Sequence, residues 1–423
     1  NKELQKILQH EIAIAHFEAK HAWEIGAKED EMKPILDLIR KAKLENIAPI
    51  EAWTAIGTNN QLAYATHGIF RYFGKFPPPI ATHLITKYTN QGDIVCDPMC
   101  GSGTTGVEAL LLNRKAILND INPLSCLLAD VKTRRLNEEQ MREAVRRIEK
   151  NYRPLTEAEY NFNPVGLKNA DHWFLSETKN SLRGIKKLIE EEKDKYIKNF
   201  LLVAFAATIR RVSRATTQQG RLFLDVETAE ENALPFFLKR AEIAIRGILE
   251  LPVNSETPKI LSINLKEQIP EELHNVADLI ILHPPYFNSY KYSSINSLEL
   301  SWLGYDYNSL RKSEIKEFFK VGKPDNVTIY VEEMAQVISN ITPIIKVGSI
   351  FAIMIGDTVM KGNYVPVTKM LLDKIDITRL KPELIAIRVP KYTEAAWVTS
   401  QRRNSDNVGI SLYDYIIVLR RIA

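Results

Sequence analysis

The stretch that decides the fold runs from Asp93 to Pro123, DIVCDPMCGSGTTGVEALLLNRKAILNDINP. It opens on a short apolar run, Ile94 to Cys96, and turns at Asp97-Pro98. A helical pattern follows over Thr104 to Leu112, then a second apolar run, Ala116 to Leu118. Strand, helix and strand in that order predict a parallel α/β unit. Gly101, Gly103 and Gly106 fall at G-x-G-x-x-G spacing between the first strand and the helix, where the missing Cβ lets an adenine-bearing cofactor approach the backbone. Asp120 closes the next strand, at the distance downstream where an acidic side chain accepts hydrogen bonds from ribose hydroxyls. The glycine spacing alone fits NAD and FAD enzymes equally well. Asp97 narrows the choice. A carboxylate at the tip of the first strand meets a pyrophosphate with like charge, whereas it suits S-adenosylmethionine, which carries an ammonium group and no phosphate. The competing view of Asp97 is a helix-capping acid in a tight turn.

Working outward, residues 1 to 60 carry apolar positions at helical spacing (Leu4, Ile7, Leu8, Ile12, Ile14) and predict packed N-terminal helices. Residues 131 to 255 lose the strand signals and predict a helical insertion, with helices over Glu138 to Lys150, Thr178 to Glu192, Phe200 to Arg214 and Glu230 to Leu249. Strands resume at Lys259 to Ile263, Ala277 to Leu282, Ser349 to Ile355, Leu384 to Val389 and Tyr413 to Leu419. The predicted units are therefore 1–60, a first half-core 61–130, the insertion 131–255 and a second half-core 256–423.

The second decisive stretch is DLIILHPPYFNSYKYSSINSLELSWLG, residues 278–304. An apolar strand, Leu279 to Leu282, leads straight into His283-Pro284-Pro285-Tyr286. Two prolines have no N–H to give a ladder, so the chain leaves the sheet there with a stiff backbone, which suits a positioning site. A rigid loop with a packed tyrosine is the plainer alternative. Trp302 is expected in the core and Cys100 as a small turn residue.

Together, D-P-M-C-G-S-G-T-T and H-P-P-Y resemble the two signature motifs of the DNA amino-methyltransferases, which methylate N6 of adenine or N4 of cytosine. HGIFRYFGKFPPPI (67–80) resembles the segment that closes over the methionine end of the cofactor in that family. GSIFAIMIGDTVMKGNYVPV (348–367) and SLYDYIIVLRR (411–421) resemble its later strands. The resemblance implies an α/β fold with a Rossmann-like class I methyltransferase sheet, and S-adenosyl-L-methionine as cofactor. It implies cofactor contacts from Asp97, Pro98, Gly101, Gly103, Thr104 and Thr105, with Asp120 on the ribose, Tyr72 or Phe76 over the methyl donor and Asn264 at the adenine edge. It implies that the side chain of His283 and the carbonyl of Pro284 accept from the target amine, that Pro285 stiffens the turn, and that Tyr286 stacks on a base flipped out of double-stranded DNA. His283 departs from the family pattern, which has Asp, Asn or Ser there, and leaves adenine versus cytosine open. A restriction-modification or phage-defence role, with a cognate restriction endonuclease as partner, belongs to the same expectation. An RNA amino-methyltransferase and a nucleic-acid-binding relative without activity are the alternatives.

The rest of the 423 residues is ordinary globular sequence, 45% hydrophobic and 26% charged. No apolar run approaches the roughly 20 residues that span a bilayer, so a membrane partner is not expected; three cysteines cannot make a disulfide framework, and a reducing, cytoplasmic setting is expected. Cys96, Cys100 and Cys126 lack the paired spacing of a zinc site, and no metal is expected. The net charge of +4 hides an asymmetry, because residues 131–220 hold 19 Lys and Arg against 12 Asp and Glu. Within them, TIRRVSRATTQQGRLF sets Arg210, Arg211 and Arg214 near Gln218, Gln219 and Arg221. Arginines there suit phosphates and glutamines a base edge, while a solvated helix end is an equal alternative.

Overall fold

The computed structural model describes residues 50–53, 61–218, 221–227, 232–253, 255–287, 292–315, 325–360, 363–376, 378–388 and 414–423. Eight strands form one sheet: β1 (Ile50–Trp53), β2 (Ile94–Asp97), β3 (Lys115–Asn119), β4 (Lys259–Leu261), β5 (Ala277–Leu282), β6 (Ile345–Gly356), β7 (Leu380–Arg388) and β8 (Asp414–Arg421). Their spatial order is β1-β7-β8-β6-β5-β2-β3-β4. All neighbours pair parallel except the last strand, β8, which lies antiparallel between β7 and β6. This is the Rossmann-like α/β sheet that the sequence predicts.

The central strands read as continuous apolar runs because both faces are covered. On β5, Leu279 and Ile281 join one core and Ile280 and Leu282 the other. β6 alternates likewise, with Ile350, Ala352 and Met354 opposite Phe351, Ile353 and Ile355. α1 (Pro78–Tyr88) and α2 (Thr104–Leu111) cover the first face. From β2 the chain first builds outward through β3 to β4, then crosses back to β5 and beyond. The order therefore reverses between β2 and β5, and in such sheets a crevice opens beyond the strand ends at that point.

Between β3 and β4 lie α3 (Pro123–Lys132), α4 (Glu138–Asn151), α5 (Ser176–Glu190), α6 (Lys195–Val212) and α7 (Leu234–Leu249). Their shared core also takes in Ile69 and Phe70 from upstream and Leu298, Leu300 and Trp302 from α8 (Ser297–Leu303), beyond the Pro-Pro turn. The insertion is thus built into the molecule. Trp302 is fully buried there, as expected of a core residue.

Three differences from the sequence expectation stand out. Ile50–Trp53, inside the segment read as helical, is an edge strand paired to β7; four residues are too few for periodicity to separate strand from helix. The other residues of that segment, 1–49 and 54–60, lie outside the described residues. The helix expected to reach Arg214 stops at Val212, and Ala215–Gln218 pairs with Arg221–Leu224 in a small ribbon. Consecutive Thr216 and Thr217 favour strand over helix because a β-branched χ1 is restricted in a helix. The basic excess of residues 131–220 does not sit on α4, whose four bases are matched by four acids; Arg142 pairs with Glu138 and Glu242, and Arg146 with Glu139 and Glu143.

Candidate active site

β2 delivers Asp97 to the sheet's edge, where it is fully buried. Its carboxylate accepts the Thr105 hydroxyl at 2.5 Å and the Met99 N–H at 3.1 Å. Both oxygens therefore bind the turn to the strand tip, and burial pushes the pKa up to about 7. The structure corrects the expected role: Asp97 braces the glycine turn from behind, with Thr105 as its partner. Gly103 is also structural, because a Cβ there would come 3.0 Å from Ala129 Cα on α3. Gly101, at φ +48°, needs the conformation glycine tolerates best, and its Cα faces the edge of the Tyr72 ring, 3.2 Å from an added Cβ.

Asp120 follows β3 and reaches back to the same turn. It accepts the Gly101 N–H at 2.9 Å and the Asn122 N–H at 2.8 Å, and burial raises its pKa to about 6. Asn119, which the sequence reading passed over, clasps three strand exits. Its amide donates to the carbonyls of Pro98 (3.0 Å) and Ile263 (3.1 Å) and accepts the Ile263 N–H at 2.7 Å. Asn264 is held nearby by Glu267 and the Lys266 N–H.

These groups surround a cleft at the predicted crevice. Tyr72, Phe76, Pro98, Gly101, Thr104 and Asp120 line it from the first half-core; Asn264, His283 and Pro285 line it from the second, which carries the catalytic turn. The two turns, 182 residues apart between Gly101 and His283, therefore meet in one cavity. The upstream segment joins them: the Phe76 ring stands edge-on to His283 at 5.1 Å, and His283 edge-on to Tyr286 at 5.2 Å. Pro284 is buried, and Tyr330 donates its phenol to the Pro285 carbonyl at 2.7 Å. Asp97, Gly103, Thr105, Pro284 and Tyr286 stand outside the lining itself.

A DNA methylase family model matches residues 13–130, across the glycine turn and its upstream segment. The chain is related to the DNA amino-methyltransferases. A second model, an RMKL-like methyltransferase domain, matches residues 79–185 of this methylase relative. The Type II methyltransferase M.MvaI of Kocuria varians is 28% identical over 55% of this chain and 54% of its own length. The Type II methyltransferase M.BsoBI of Geobacillus stearothermophilus is 26% identical over 58% of this chain and 54% of its own. The chain thus spans about half the length of these curated relatives. Among solved structures, TrmN from Thermus thermophilus overlaps 83% of this chain at 10% identity with a TM-score of 0.31.

S-adenosylmethionine is the cofactor that this relationship brings, and the cleft fits it. Two buried polar atoms on lining residues, the Thr104 hydroxyl and the Asn122 amide nitrogen, have no hydrogen-bond partner among the described residues. Such atoms are costly unless a ligand satisfies them. A molecule with a carboxylate, an ammonium group and a ribose offers both donors and acceptors. Asn122 is half-readable in the sequence, because Asn before Pro123 is a helix-capping signature and its other amide atom does cap α3 at the Leu124 N–H.

The insertion's arginines divide. Arg210 hydrogen-bonds Glu299 at 2.9 Å, the Thr217 hydroxyl at 2.6 Å and the Ile295 carbonyl. It fastens the insertion to α8 and is not a free phosphate ligand, which corrects the sequence expectation; the decisive partner, Glu299, lies 89 residues away. Arg211 is exposed over the Phe236 ring, and its charge, after burial, holds the Arg240 guanidinium below its usual value. Arg214 lies at the base of the ribbon, its backbone bonded to Trp173 and Asp225. Gln219 lies outside the described residues. Among the described residues, no helix is long and apolar enough to cross a membrane.

Proposed function

We propose that this protein transfers a methyl group from S-adenosylmethionine to the exocyclic amine of a base in double-stranded DNA, adenine at N6 or cytosine at N4, as part of restriction-modification or phage defence. The observation that carries the reading is the convergence of the glycine turn and the His283-Pro284-Pro285-Tyr286 turn on one cleft. The cofactor supplies an electrophilic methyl group on a sulfonium.

An exocyclic amine is a poor nucleophile because its lone pair is delocalised into the base ring. Acceptors at its two hydrogens localise that pair on nitrogen. The imidazole of His283, through a neutral ring nitrogen, and the carbonyl of Pro284 take this role, and the two prolines keep the acceptors from drifting. The new C–N bond forms as the methyl's C–S bond breaks with its electron pair left on sulfur. The proton then lost from the alkylated, acidified nitrogen passes to the neutral imidazole of His283, while the Pro284 carbonyl only accepts a hydrogen bond, so no strong base is needed. Tyr286 stacks on the base. A paired base hides its amine from such a turn, so the target swings out of the duplex; aromatic stacking returns roughly 1–3 kcal/mol of the unstacking cost. Arg211, Arg214 and the ribbon they flank form the DNA-facing side of the insertion, and Tyr72 and Phe76 cover the donor.

The test incubates the protein and methyl-labelled cofactor with duplex DNA, with RNA and with neither, then analyses the nucleosides. Label in N6-methyladenine or N4-methylcytosine from duplex DNA is expected. Label from RNA alone overturns the substrate, and binding without transfer to any nucleic acid supports a non-catalytic relative.

A further inference from the structure

Glu314 is a carboxyl that the transfer chemistry leaves unused. It follows the short helix Tyr307–Ser313, is partly buried and lines the cleft. Its orientation is fixed, because Ser293 donates to it twice: the backbone N–H at 3.0 Å and the hydroxyl at 2.9 Å. Its backbone is fixed as well, since Lys266, two residues past Asn264, donates to its carbonyl at 3.2 Å. Tyr292, next to Ser293, stacks on Tyr72 with ring centroids 6.0 Å apart, and Tyr72 is the ring that covers Gly101. Glu314 therefore enters the cleft from the side occupied by Asp120 and the Asn264 loop. Its pKa is raised to about 7, chiefly by burial and further by Asp120, with Arg311 acting in the opposite sense.

We infer that Glu314 is a second acidic contact for the adenosine end of the cofactor, reaching it from the catalytic half of the chain. The inference rests on the S-adenosylmethionine reading. Two carboxyls that line one partly dry cleft, Asp120 and Glu314, are unfavourable as anions until donors come between them. Adenosine supplies such donors, in its ribose hydroxyls and its amine. The amino-acid end of the cofactor belongs to the glycine turn. Because Ser293 follows Tyr286 by seven residues, a ligand on Glu314 also ties down the chain that continues from the catalytic turn.

Titration calorimetry on the full chain tests this with two ligands, S-adenosylhomocysteine and 5′-methylthioadenosine, the latter retaining the adenosine and lacking the amino acid. Glu314→Gln is expected to weaken both by the same factor, tenfold or more. Weakening of S-adenosylhomocysteine alone would move Glu314 to the amino-acid end and overturn the assignment, as would no change in either. A measurement on the unaltered chain guards against a folding defect: 5′-methylthioadenosine should slow hydrogen exchange in residues 307–315, and absence of that protection overturns the inference. Failure of the unaltered chain to bind either ligand would overturn the S-adenosylmethionine reading together with this one, a result distinct from binding that the substitution leaves intact.

Discussion

Tyr330 holds the catalytic turn from behind: its phenol donates to the carbonyl of Pro285 at 2.7 Å, and its ring lies 5.4 Å from that of Phe287. Tyr330 sits on α9 (Asp325–Ile341) and is fully buried. The turn is thus fixed twice, by proline stiffness along the chain and by a hydrogen bond across it. Tyr330→Phe keeps the ring and removes the bond, leaving a carbonyl of the turn one donor short. A stability loss of about 1 kcal/mol is expected, together with a fall in kcat of roughly tenfold as the acceptors lose their placement. The KM for S-adenosylmethionine should not move. Denaturant unfolding and steady-state kinetics check this; reduced stability with unaltered kcat would make the bond structural only.

Tyr286→Ala separates base stacking from cofactor binding. Tyr286 touches His283 edge-on yet stands outside the cleft lining. Methyl transfer to DNA should fall by roughly 10- to 100-fold while the Kd for S-adenosylhomocysteine stays within about twofold, since stacking accounts for roughly 1–3 kcal/mol per base and none of it reaches the cofactor. Equal losses in both measurements would argue against the stacking role.

The buried acids of the cleft predict proton release on binding. In the ligand-free cleft Asp97 and Asp120 titrate at about 7 and about 6, raised chiefly by burial. Asp97 lies behind the turn, so a cationic ligand acts on Asp120, which lines the cleft; it favours the ionised form and lowers that value, so binding near pH 6 expels protons and affinity rises with pH through about 6. Calorimetry at pH 6.5 in two buffers of different ionisation enthalpy should give different apparent heats, with protons leaving the complex. Proton uptake would contradict the assignment. For the fold the sign runs the other way: both values lie above the ordinary 3.8, so these acids weaken the ligand-free protein as pH rises through them.

Gly106→Ala tests the packing beneath the turn. A Cβ at that position on α2 would stand 2.5 Å from Leu118 Cδ1 and 3.0 Å from Thr133 Cγ2, and Leu118 is fully buried on β3. Neither neighbour has room to retreat, so overpacking should cost about 1–3 kcal/mol, read as a lower unfolding midpoint. A midpoint matching the parent protein would show that the helix and strand can separate.

The pattern of strand and helix from Ile94 to Asn119 was legible because local periodicity and turn residues coincide there, and the same holds for β5 running into the prolines. Asp120, Phe76 and His283 were legible as cleft residues for the same reason: each ends or follows a recognisable element. What stayed hidden depends on partners far away in the chain. Asn119 has a meaning only once Ile263 is beside it, Tyr330 only once Pro285 is, and Glu314 only once Ser293 is. Asp97 shows the opposite failure. Its position was read correctly, but the Thr105 hydroxyl and Met99 N–H that occupy its oxygens come from the very turn assigned to the ligand.

Arg210 and its neighbour Arg211 are expected to part company when DNA binding is measured against salt. Arg210 is paired with Glu299, whose side chain is 4% exposed. Truncating it strands that carboxylate, so Arg210→Ala should cost on the order of 3 kcal/mol in stability. The slope of log affinity against log salt should stay unchanged, because no phosphate contact is lost. Arg211→Ala and Arg214→Ala remove charges on the side proposed to face DNA and should each reduce that slope by about one, with little change in the unfolding midpoint. Filter binding of duplex DNA between low and moderate salt decides between the roles. A slope that falls with Arg210→Ala and holds with the other two would return Arg210 to the phosphate face and place the insertion the other way round on the duplex.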